Sequence, residues 1–108
     1  MDTQNAFSLL SPEIRAKLQA LSITQPTPVQ QKTIPLIIKG KNLLFQSETG
    51  TGKTFAYLLP LADNIEKDEK SGIKVLIVAP TLELSSQIRD AALSISSKKC
   101  ALLTGSVP

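Results

Sequence analysis

Six consecutive residues in the middle of the chain have types and spacing that suit phosphate chemistry: Thr49-Gly50-Thr51-Gly52-Lys53-Thr54. Glycines let a backbone curl so that several N–H groups converge on one anion, which a Cβ would obstruct. A helix beginning near Gly52 or Lys53 would add free N–H groups and the positive end of its dipole. In such a P-loop the lysine reaches the β- and γ-phosphates, and the Thr54 hydroxyl ligates Mg²⁺. The run therefore predicts a phosphate-binding loop.

The loop departs from the general P-loop pattern at one position. That pattern places a glycine five residues before Gly52, and this chain has Ser47 there. Gly50 supplies flexibility inside the loop instead. For this segment on its own, a glycine-rich turn between a strand and a helix, with Lys53 facing solvent, remains the alternative.

The elements on either side of the loop follow from apolar spacing. Residues 43–46 predict a strand before it, and apolar residues at helical spacing after it predict a helix. Residues 73–79 form a β-branched run typical of a parallel strand buried on both faces, and residues 100–103 predict one more strand. Strands that alternate with helices indicate a parallel α/β architecture with right-handed connections.

Capping residues mark three further helix starts. Ser11-Pro12, Thr27-Pro28 and Pro80-Thr81 each combine a hydroxyl cap or a proline with the first turn of an apolar helical pattern. Pro35 is expected to interrupt the second of these helices, because it has no N–H and its ring clashes with the preceding turn.

Composition restricts the function. The 108 residues suffice for one domain or a piece of one, and a 42% hydrophobic content suits a buried core. With no histidine and one cysteine, a zinc site, a Cys–His nucleophile pair and an internal disulfide are excluded. The net charge of +3 permits an anionic partner. No signal peptide or apolar run of about 20 residues is present, so we expect a cytoplasmic protein without membrane association.

Gln30 has two interpretations. It lies three residues after Thr27, which is the spacing of a capping box. However, the segment Pro26-Thr27-Pro28-Val29-Gln30, with Phe7 upstream, resembles the Q motif of DEAD-box RNA helicases. The resemblance continues from Ser47 to Thr54, which is similar to the A-x-T-G-x-G-K-T loop of that family. It recurs in Ala79-Pro80-Thr81-Leu82-Glu83-Leu84-Ser85-Ser86-Gln87, which resembles the family's motif Ia.

The resemblance implies the fold class of a P-loop NTPase: an α/β, RecA-like parallel sheet with flanking helices, incomplete in this chain. Residues 1–41 would form the helical Q-motif segment, and residues 42–108 the βαβαβ segment with the P-loop and motif Ia. The expected function is the ATP-binding part of a DEAD-box RNA helicase that couples ATP binding and hydrolysis to unwinding of RNA duplexes.

Site residues follow from the same resemblance, with ATP and Mg²⁺ as cofactors. Gln30 would both donate to and accept from the adenine edge, and Phe7 would pack beside the adenine pocket. Lys53 and Thr54 would be catalytic, with Thr54 the Mg²⁺ ligand. The remaining nucleotide contacts would come from the loop, namely Ser47, Glu48, Thr49, Gly50, Thr51 and Gly52, although Glu48 is most simply a solvated residue. The RNA backbone, without sequence preference, would be contacted by Pro80, Thr81, Leu82 and Gly105.

Several positions differ from the family pattern. Ser22-Ile23 stands where the family often has glycine and an aromatic residue, so stacking on adenine becomes aliphatic packing. Leu82 replaces the arginine of motif Ia, which should weaken RNA contact. Gly105-Ser106 is a weak match to a paired glycine. Glu83 fits a helix first turn as well as a functional role.

The sequence also lacks an Asp-Glu-Ala-Asp segment. We therefore expect the 108-residue chain alone to be catalytically inactive, and an open sheet to favour self-association. Two alternatives remain: another P-loop enzyme such as a kinase or GTPase, and a non-catalytic module that binds nucleotide or RNA.

Overall fold

The computed structural model describes residues 5–46, 52–68, 72–96 and 100–103. These residues form a short 3₁₀ helix, Ala6–Leu9, and four α-helices: α1 (Pro12–Ala20), α2 (Pro28–Ile38), α3 (Lys53–Lys67) and α4 (Leu82–Ile95). Helix α3 packs against the other three α-helices. One core cluster joins all of these elements through the buried side chains of Ala6, Phe7, Leu10, Ile14, Leu18, Ile34, Leu58, Leu59, Ala62, Ile88 and Ile95.

Hydroxyl side chains cap three of the helices. The side-chain oxygens of Ser11, Thr27 and Thr81 each accept a hydrogen bond from the backbone N–H three residues later, at 3.4, 3.3 and 3.1 Å. Such bonds satisfy one of the free N–H groups at a helix start. The predicted starts of α1 and α2 are confirmed, and α4 begins directly after its Thr81 cap.

Helices α1 and α2 end in the same hydrogen-bonding pattern, the Schellman motif. After α1, the N–H groups of Ser22 and Ile23 donate to carbonyls three and five residues back, at 3.0 and 2.9 Å. After α2, Gly40 and Lys41 repeat both bonds at 2.9 and 3.0 Å. The motif requires a left-handed residue, which is Gly40 (φ +81°) in α2 but Ser22 (φ +62°) in α1.

The expectation that Pro35 interrupts the second helix is wrong. Helix α2 continues through Pro35 to Ile38. The proline removes one N–H and therefore one helical hydrogen bond, while the Lys39 N–H at the end of the helix donates to the Pro35 carbonyl at 3.2 Å. The buried face of α2 lies before the proline, at Gln30, Thr33 and Ile34, so packing holds the helix where the proline weakens it.

The three predicted strands are absent from the part of the chain that the structure describes. Residues 43–46, 73–79 and 100–103 have no regular secondary structure there. The expected burial of residues 73–79 is also wrong, since Ile73 and Val78 are 91% and 86% exposed. A strand is stabilised by pairing with other strands, and the described residues provide no such pairing. The parallel sheet therefore stays a prediction.

Helix α3, with 15 residues, is the longest of the described helices. A helix that crosses a bilayer needs about 20 mostly apolar residues. Accordingly, none of the helices in the described ranges is long and apolar enough to span a membrane.

Candidate functional site

The side chain of Gln30 joins the start of α2 to the start of α3. It is 3% exposed. Its Oε1 accepts a hydrogen bond from the Thr27 N–H at 3.0 Å, and its Nε2 donates to the Gly52 carbonyl at 3.2 Å. The capping-box interpretation is therefore confirmed, and the same amide also contacts the end of the predicted P-loop. Among the described residues, one Nε2 proton and one Oε1 lone pair of Gln30 have no further partner.

Gly52 is required at this contact for two reasons. Its φ of +85° lies in the left-handed region that favours glycine. In addition, a Cβ at this position would lie 2.5 Å from Gln30 Nε2 and 3.3 Å from Thr27 Oγ1. The backbone of Gly52 thus approaches the Q-motif segment more closely than a side chain permits.

Lys53 and Thr54 occupy the first turn of α3. Gly52 has no side chain to cap this helix, and the first N–H groups of a helix have no partner within it, so they suit an anion. The Lys53 side chain is exposed and Thr54 is half-buried. A hydroxyl oxygen suits Mg²⁺, which usually takes few protein ligands and completes its shell with phosphate oxygens and water. The described residues contain no cluster of three or more metal-ligating His, Cys, Asp or Glu side chains.

Tyr57 lies one turn after Thr54 in α3 and is half-buried. Burial raises the pKa of its phenol above the ordinary value of 10.0, and the neighbouring Thr54 hydroxyl offsets part of that rise. The phenol therefore stays neutral at physiological pH.

A second hydrogen bond connects α2 to α3 beside the Gln30 contact. The Thr33 hydroxyl donates to the Ala56 carbonyl at 3.1 Å, in a buried position. Sequence reasoning assigned Thr33 no role beyond its place in the helix. Its spacing of three residues from Gln30 places both side chains on one face of α2, and that spacing is the signal that could have identified it.

Phe7 lies at a separate cavity of about 270 Å³ lined by Phe7, Arg15, Leu18, Gln19, Ile23 and Thr24. The Phe7 side chain is 7% exposed. Gln30 does not line this cavity. The structure thus brings Gln30 and Gly52 together but places Phe7 at a neighbouring cavity.

Two side chains fix the segment that contains Phe7. The Gln31 Oε1 accepts the Ala6 N–H at 2.9 Å, and the Asp63 Oδ1 accepts the Ser11 N–H at 2.6 Å. Asp63 is fully buried in α3 and forms an ion pair of 2.9 Å with Lys67. Sequence reasoning missed Asp63, although a carboxylate on the apolar face of α3 is itself a signal of a specific partner.

Pro80, Thr81 and Leu82 are all exposed at the start of α4. The Thr81 side-chain oxygen accepts the Leu84 N–H at 3.1 Å, so its role in the structure is that of a helix cap. Its hydroxyl proton remains able to donate. The other predicted site residues, Ser47, Glu48, Thr49, Gly50, Thr51 and Gly105, lie outside the described residues.

Comparison with known proteins identifies a matching family and relatives of this chain. The DEAD/DEAH box helicase family model matches residues 27–108. The chain is 43% identical over 91 residues to the ATP-dependent RNA helicase ROK1 of Yarrowia lipolytica, covering 80% of this chain and 17% of that protein. The chain spans about a fifth of the length of the curated relatives it matches.

Solved structures agree in fold. A crystal structure of a DEAD box protein from Methanococcus jannaschii has a TM-score of 0.83 and 32% identity, covering 92% of this chain and 28% of that one. The RNA helicase Prp28 from Chaetomium thermophilum, bound to ADP, has a TM-score of 0.74 and 34% identity, covering 82% of this chain and 22% of that one.

Proposed function

The chain belongs to the DEAD/DEAH box helicase family, and we propose that it is the ATP-binding N-terminal portion of an ATP-dependent RNA helicase. In this proposal residues 1–41 form the helical Q-motif segment, and residues 42–108 form the P-loop and motif Ia part of an α/β, RecA-like domain. The complete helicase would couple ATP binding and hydrolysis to unwinding of RNA duplexes.

One contact supports this proposal above all others. The buried Gln30 amide donates a hydrogen bond to the Gly52 carbonyl, directly before the exposed Lys53 and the first N–H groups of α3. An amide suited to recognising a base and a helix start suited to binding an anion therefore lie side by side. A P-loop kinase or GTPase would share the helix start, but such an enzyme has no reason to place an amide from an upstream helix against it.

Different residues of the site would bind different parts of the nucleotide. The remaining proton and lone pair of the Gln30 amide would pair with the donor and acceptor on the adenine edge. Lys53 and the first N–H groups of α3 would bind the phosphates. Thr54 would hold Mg²⁺, which neutralises phosphate charge when bound. The RNA helicase Prp28, whose solved structure is similar to this chain, is bound to ADP, which supports this assignment.

Hydrolysis would require groups beyond this site. Phosphoryl transfer needs a residue that positions the attacking water and cationic charge around the γ-phosphate. Near the start of α3, the described residues offer only Lys53 and Thr54, and this pair lacks a residue for positioning the attacking water. We therefore propose that the 108-residue chain binds nucleotide without hydrolysing it.

RNA would be contacted at the exposed start of α4. Pro80 and Thr81 would approach the RNA backbone, with the Thr81 hydroxyl proton and the first N–H groups of the helix donating to phosphate. Leu82 adds no charge, and Glu83 repels phosphate. Binding should thus be weak, independent of sequence and sensitive to salt.

The exposed apolar segments would favour self-association of the isolated chain. Leu44, Ile73 and Val78 are 98%, 91% and 86% exposed. Backbone without pairing partners next to exposed apolar side chains promotes association between chains. Analytical ultracentrifugation should detect species heavier than 11.6 kDa at high concentration.

Titration of fluorescent ADP with Mg²⁺ into the chain tests the nucleotide proposal. Lys53→Ala should weaken binding about tenfold to a hundredfold, because charge-assisted hydrogen bonds to phosphate are lost. Lys39→Ala, at the exposed end of α2, is the matched control and should bind like the wild type. Equal binding by both variants, or none by the wild type, would contradict the proposal.

Base preference separates this function from other P-loop enzymes. In the proposed site Gln30 reads the adenine edge, so Gln30→Ala should reduce the preference for ADP over GDP. An unchanged preference would indicate that another group selects the base, and a wild-type preference for GDP would favour a GTPase.

A further inference from the structure

Helix α3 contains a proline at a position where it removes one of the helix's own hydrogen bonds. In an α-helix each carbonyl accepts the N–H four residues later, and the residue four after Ala56 is Pro60, which has no N–H. Ala56 and Pro60 are both fully buried, so bulk water does not reach the Ala56 carbonyl. A buried carbonyl without a partner destabilises a fold, and this one therefore needs a donor from outside α3.

That donor is a side chain of α2. The Thr33 hydroxyl, in a residue that is 3% exposed, donates to the Ala56 carbonyl at 3.1 Å. A hydrogen bond between two helices thus replaces the bond that Pro60 removes within α3. Because both partners are buried, water cannot replace the hydroxyl, and loss of this bond would leave an unsatisfied acceptor in the core.

The Thr33 bond lies one turn away from the bond that Gln30 makes. Gln30 precedes Thr33 by three residues on α2, and Gly52, whose carbonyl accepts from Gln30 Nε2, precedes Ala56 by four residues. The Gly52 carbonyl also accepts the Ala56 N–H at 3.1 Å. Ala56 is therefore bonded through its N–H to the carbonyl that Gln30 contacts, and through its own carbonyl to Thr33. Two side chains of α2 thus hold the first turn of α3 at both of its ends.

We propose that Thr33 is a positioning residue for nucleotide binding: in place of the N–H that Pro60 lacks, its hydroxyl holds the start of α3 in register with the Gln30 amide. This inference rests on the proposed function, in which the base contacts Gln30 on α2 and the phosphates contact Lys53 on α3. Thr33 contacts neither part of the nucleotide. It sets the distance between the two groups that do, so its loss weakens a ligand that contacts both helices and spares a ligand that contacts α3 alone.

Two ligands distinguish positioning from a general loss of the fold. The affinities of ADP and of inorganic pyrophosphate, both with Mg²⁺, are measured by calorimetry for the wild type, Thr33→Val and Thr33→Ser. Valine keeps the size of threonine without the hydroxyl, so Thr33→Val should weaken ADP about threefold to tenfold, as expected for one hydrogen bond, and change pyrophosphate less than about twofold. Thr33→Ser retains the hydroxyl and should retain most of the ADP affinity. Far-UV circular dichroism of each variant verifies that the helices are intact.

The same comparison in a Gln30→Ala background tests whether Thr33 acts through Gln30. Without the amide, ADP has no contact with α2 in the proposed site, so Thr33→Val should change the affinities of ADP and pyrophosphate equally. A preferential loss of ADP binding that persists without Gln30 would overturn the inference. An unchanged ADP affinity in Thr33→Val, or an equal loss for both ligands when Gln30 is present, would overturn it as well.

Urea unfolding tests the pairing of Thr33 with Pro60 independently of any ligand. Thr33→Val should lower the unfolding midpoint by about 0.5 M when Pro60 is present. Pro60→Ala returns an N–H to α3 that can bond the Ala56 carbonyl, so in that background Thr33→Val should lower the midpoint by roughly half as much or less. Pro35→Ala is the matched control, because it returns an N–H to α2 instead, and Thr33→Val should keep its full effect there. Equal effects in all three backgrounds would contradict the replacement of the proline's missing bond by Thr33.

Failure of this inference and failure of the proposed function give different results. If the wild type binds both ligands and Thr33→Val leaves the ratio of their affinities unchanged, the positioning role alone fails. If the wild type binds neither ligand, the proposed function fails and the positioning role fails with it. A selective loss of ADP binding in Thr33→Val that requires Gln30 and is absent in Thr33→Ser would support the inference.

Discussion

Gly40 and Gly52 provide a matched pair for measuring how closely the Q-motif segment packs against the start of α3. Both have left-handed backbones, with φ of +81° and +85°. A Cβ on Gly40 would meet nothing within 4 Å, whereas a Cβ on Gly52 would lie 2.5 Å from Gln30 Nε2. Replacing each glycine by alanine therefore imposes the same backbone strain but a different contact.

The two substitutions should differ in magnitude. A left-handed alanine costs about 1–2 kcal/mol relative to glycine, and the reduced entropy of the unfolded chain offsets about half of this. We therefore expect Gly40→Ala to lower the free energy of unfolding by about 1 kcal/mol. Gly52→Ala also displaces the Gln30 amide, whose bonds to Gly52 and Thr27 contribute about 1 kcal/mol each, so the total should be about 2–3 kcal/mol.

Urea unfolding followed by far-UV circular dichroism measures both changes. The same pair of substitutions in a Gln30→Ala background completes a double-mutant cycle. Without the Gln30 amide, the excess cost at Gly52 should fall to the smaller part caused by the Thr27 Oγ1 contact of 3.3 Å. Equal costs for Gly40→Ala and Gly52→Ala in the wild-type background would refute the reasoning, as would an excess that is undiminished without Gln30.

Three further predictions concern single side chains. Ser22→Gly should raise the free energy of unfolding by about 1 kcal/mol and the melting temperature by roughly 4 °C, because glycine relieves the left-handed strain at the end of α1; no increase would show that Ser22 is unstrained. Thr33→Val should lower the free energy of unfolding by about 1 kcal/mol, because the hydrogen bond to the Ala56 carbonyl is lost. An unchanged midpoint of urea unfolding would contradict a buried hydrogen bond at this position. Because burial raises the pKa of the Tyr57 phenol, the folded state keeps its proton above pH 10.0 while the unfolded state releases it; stability should fall as the pH rises past 10.0, and Tyr57→Phe should remove that slope.

Local signals in the sequence were sufficient to predict the helix starts. The hydroxyl oxygens of Ser11, Thr27 and Thr81 accept hydrogen bonds from N–H groups three residues later. The contact that determines each helix start therefore lies within the predicted segment. The capping box of Gln30 was predictable for the same reason. Pro35 shows the limit of local rules, because packing before the proline keeps α2 helical beyond it.

Contacts between distant segments could not be predicted in the same way. The bond from Gln30 to Gly52 joins residues 22 apart, and the bond from Ser11 to Asp63 joins residues 52 apart. Nothing in either local pattern specifies the partner. The predicted strands depend entirely on such distant pairing, which explains why an apolar run such as residues 73–79 can have strand character without forming a strand in the described structure.

Other expectations stay predictions. The nucleotide contacts of residues 47–51, the RNA contact of Gly105 and the boundary between the segments 1–41 and 42–108 are among them. The cytoplasmic location of the protein also stays a prediction.

Isotope-edited NMR of the chain during titration with ADP and Mg²⁺ tests the central claim most directly, because it observes the Gln30 side-chain amide and the backbone N–H groups of Gly52 and Lys53 separately. The proposed site predicts saturable shifts of all three signals at one common affinity, with no shift at Arg89 in α4. Saturation without movement of the Gln30 amide would place the nucleotide elsewhere, and an absence of any saturable shift would contradict nucleotide binding by this chain.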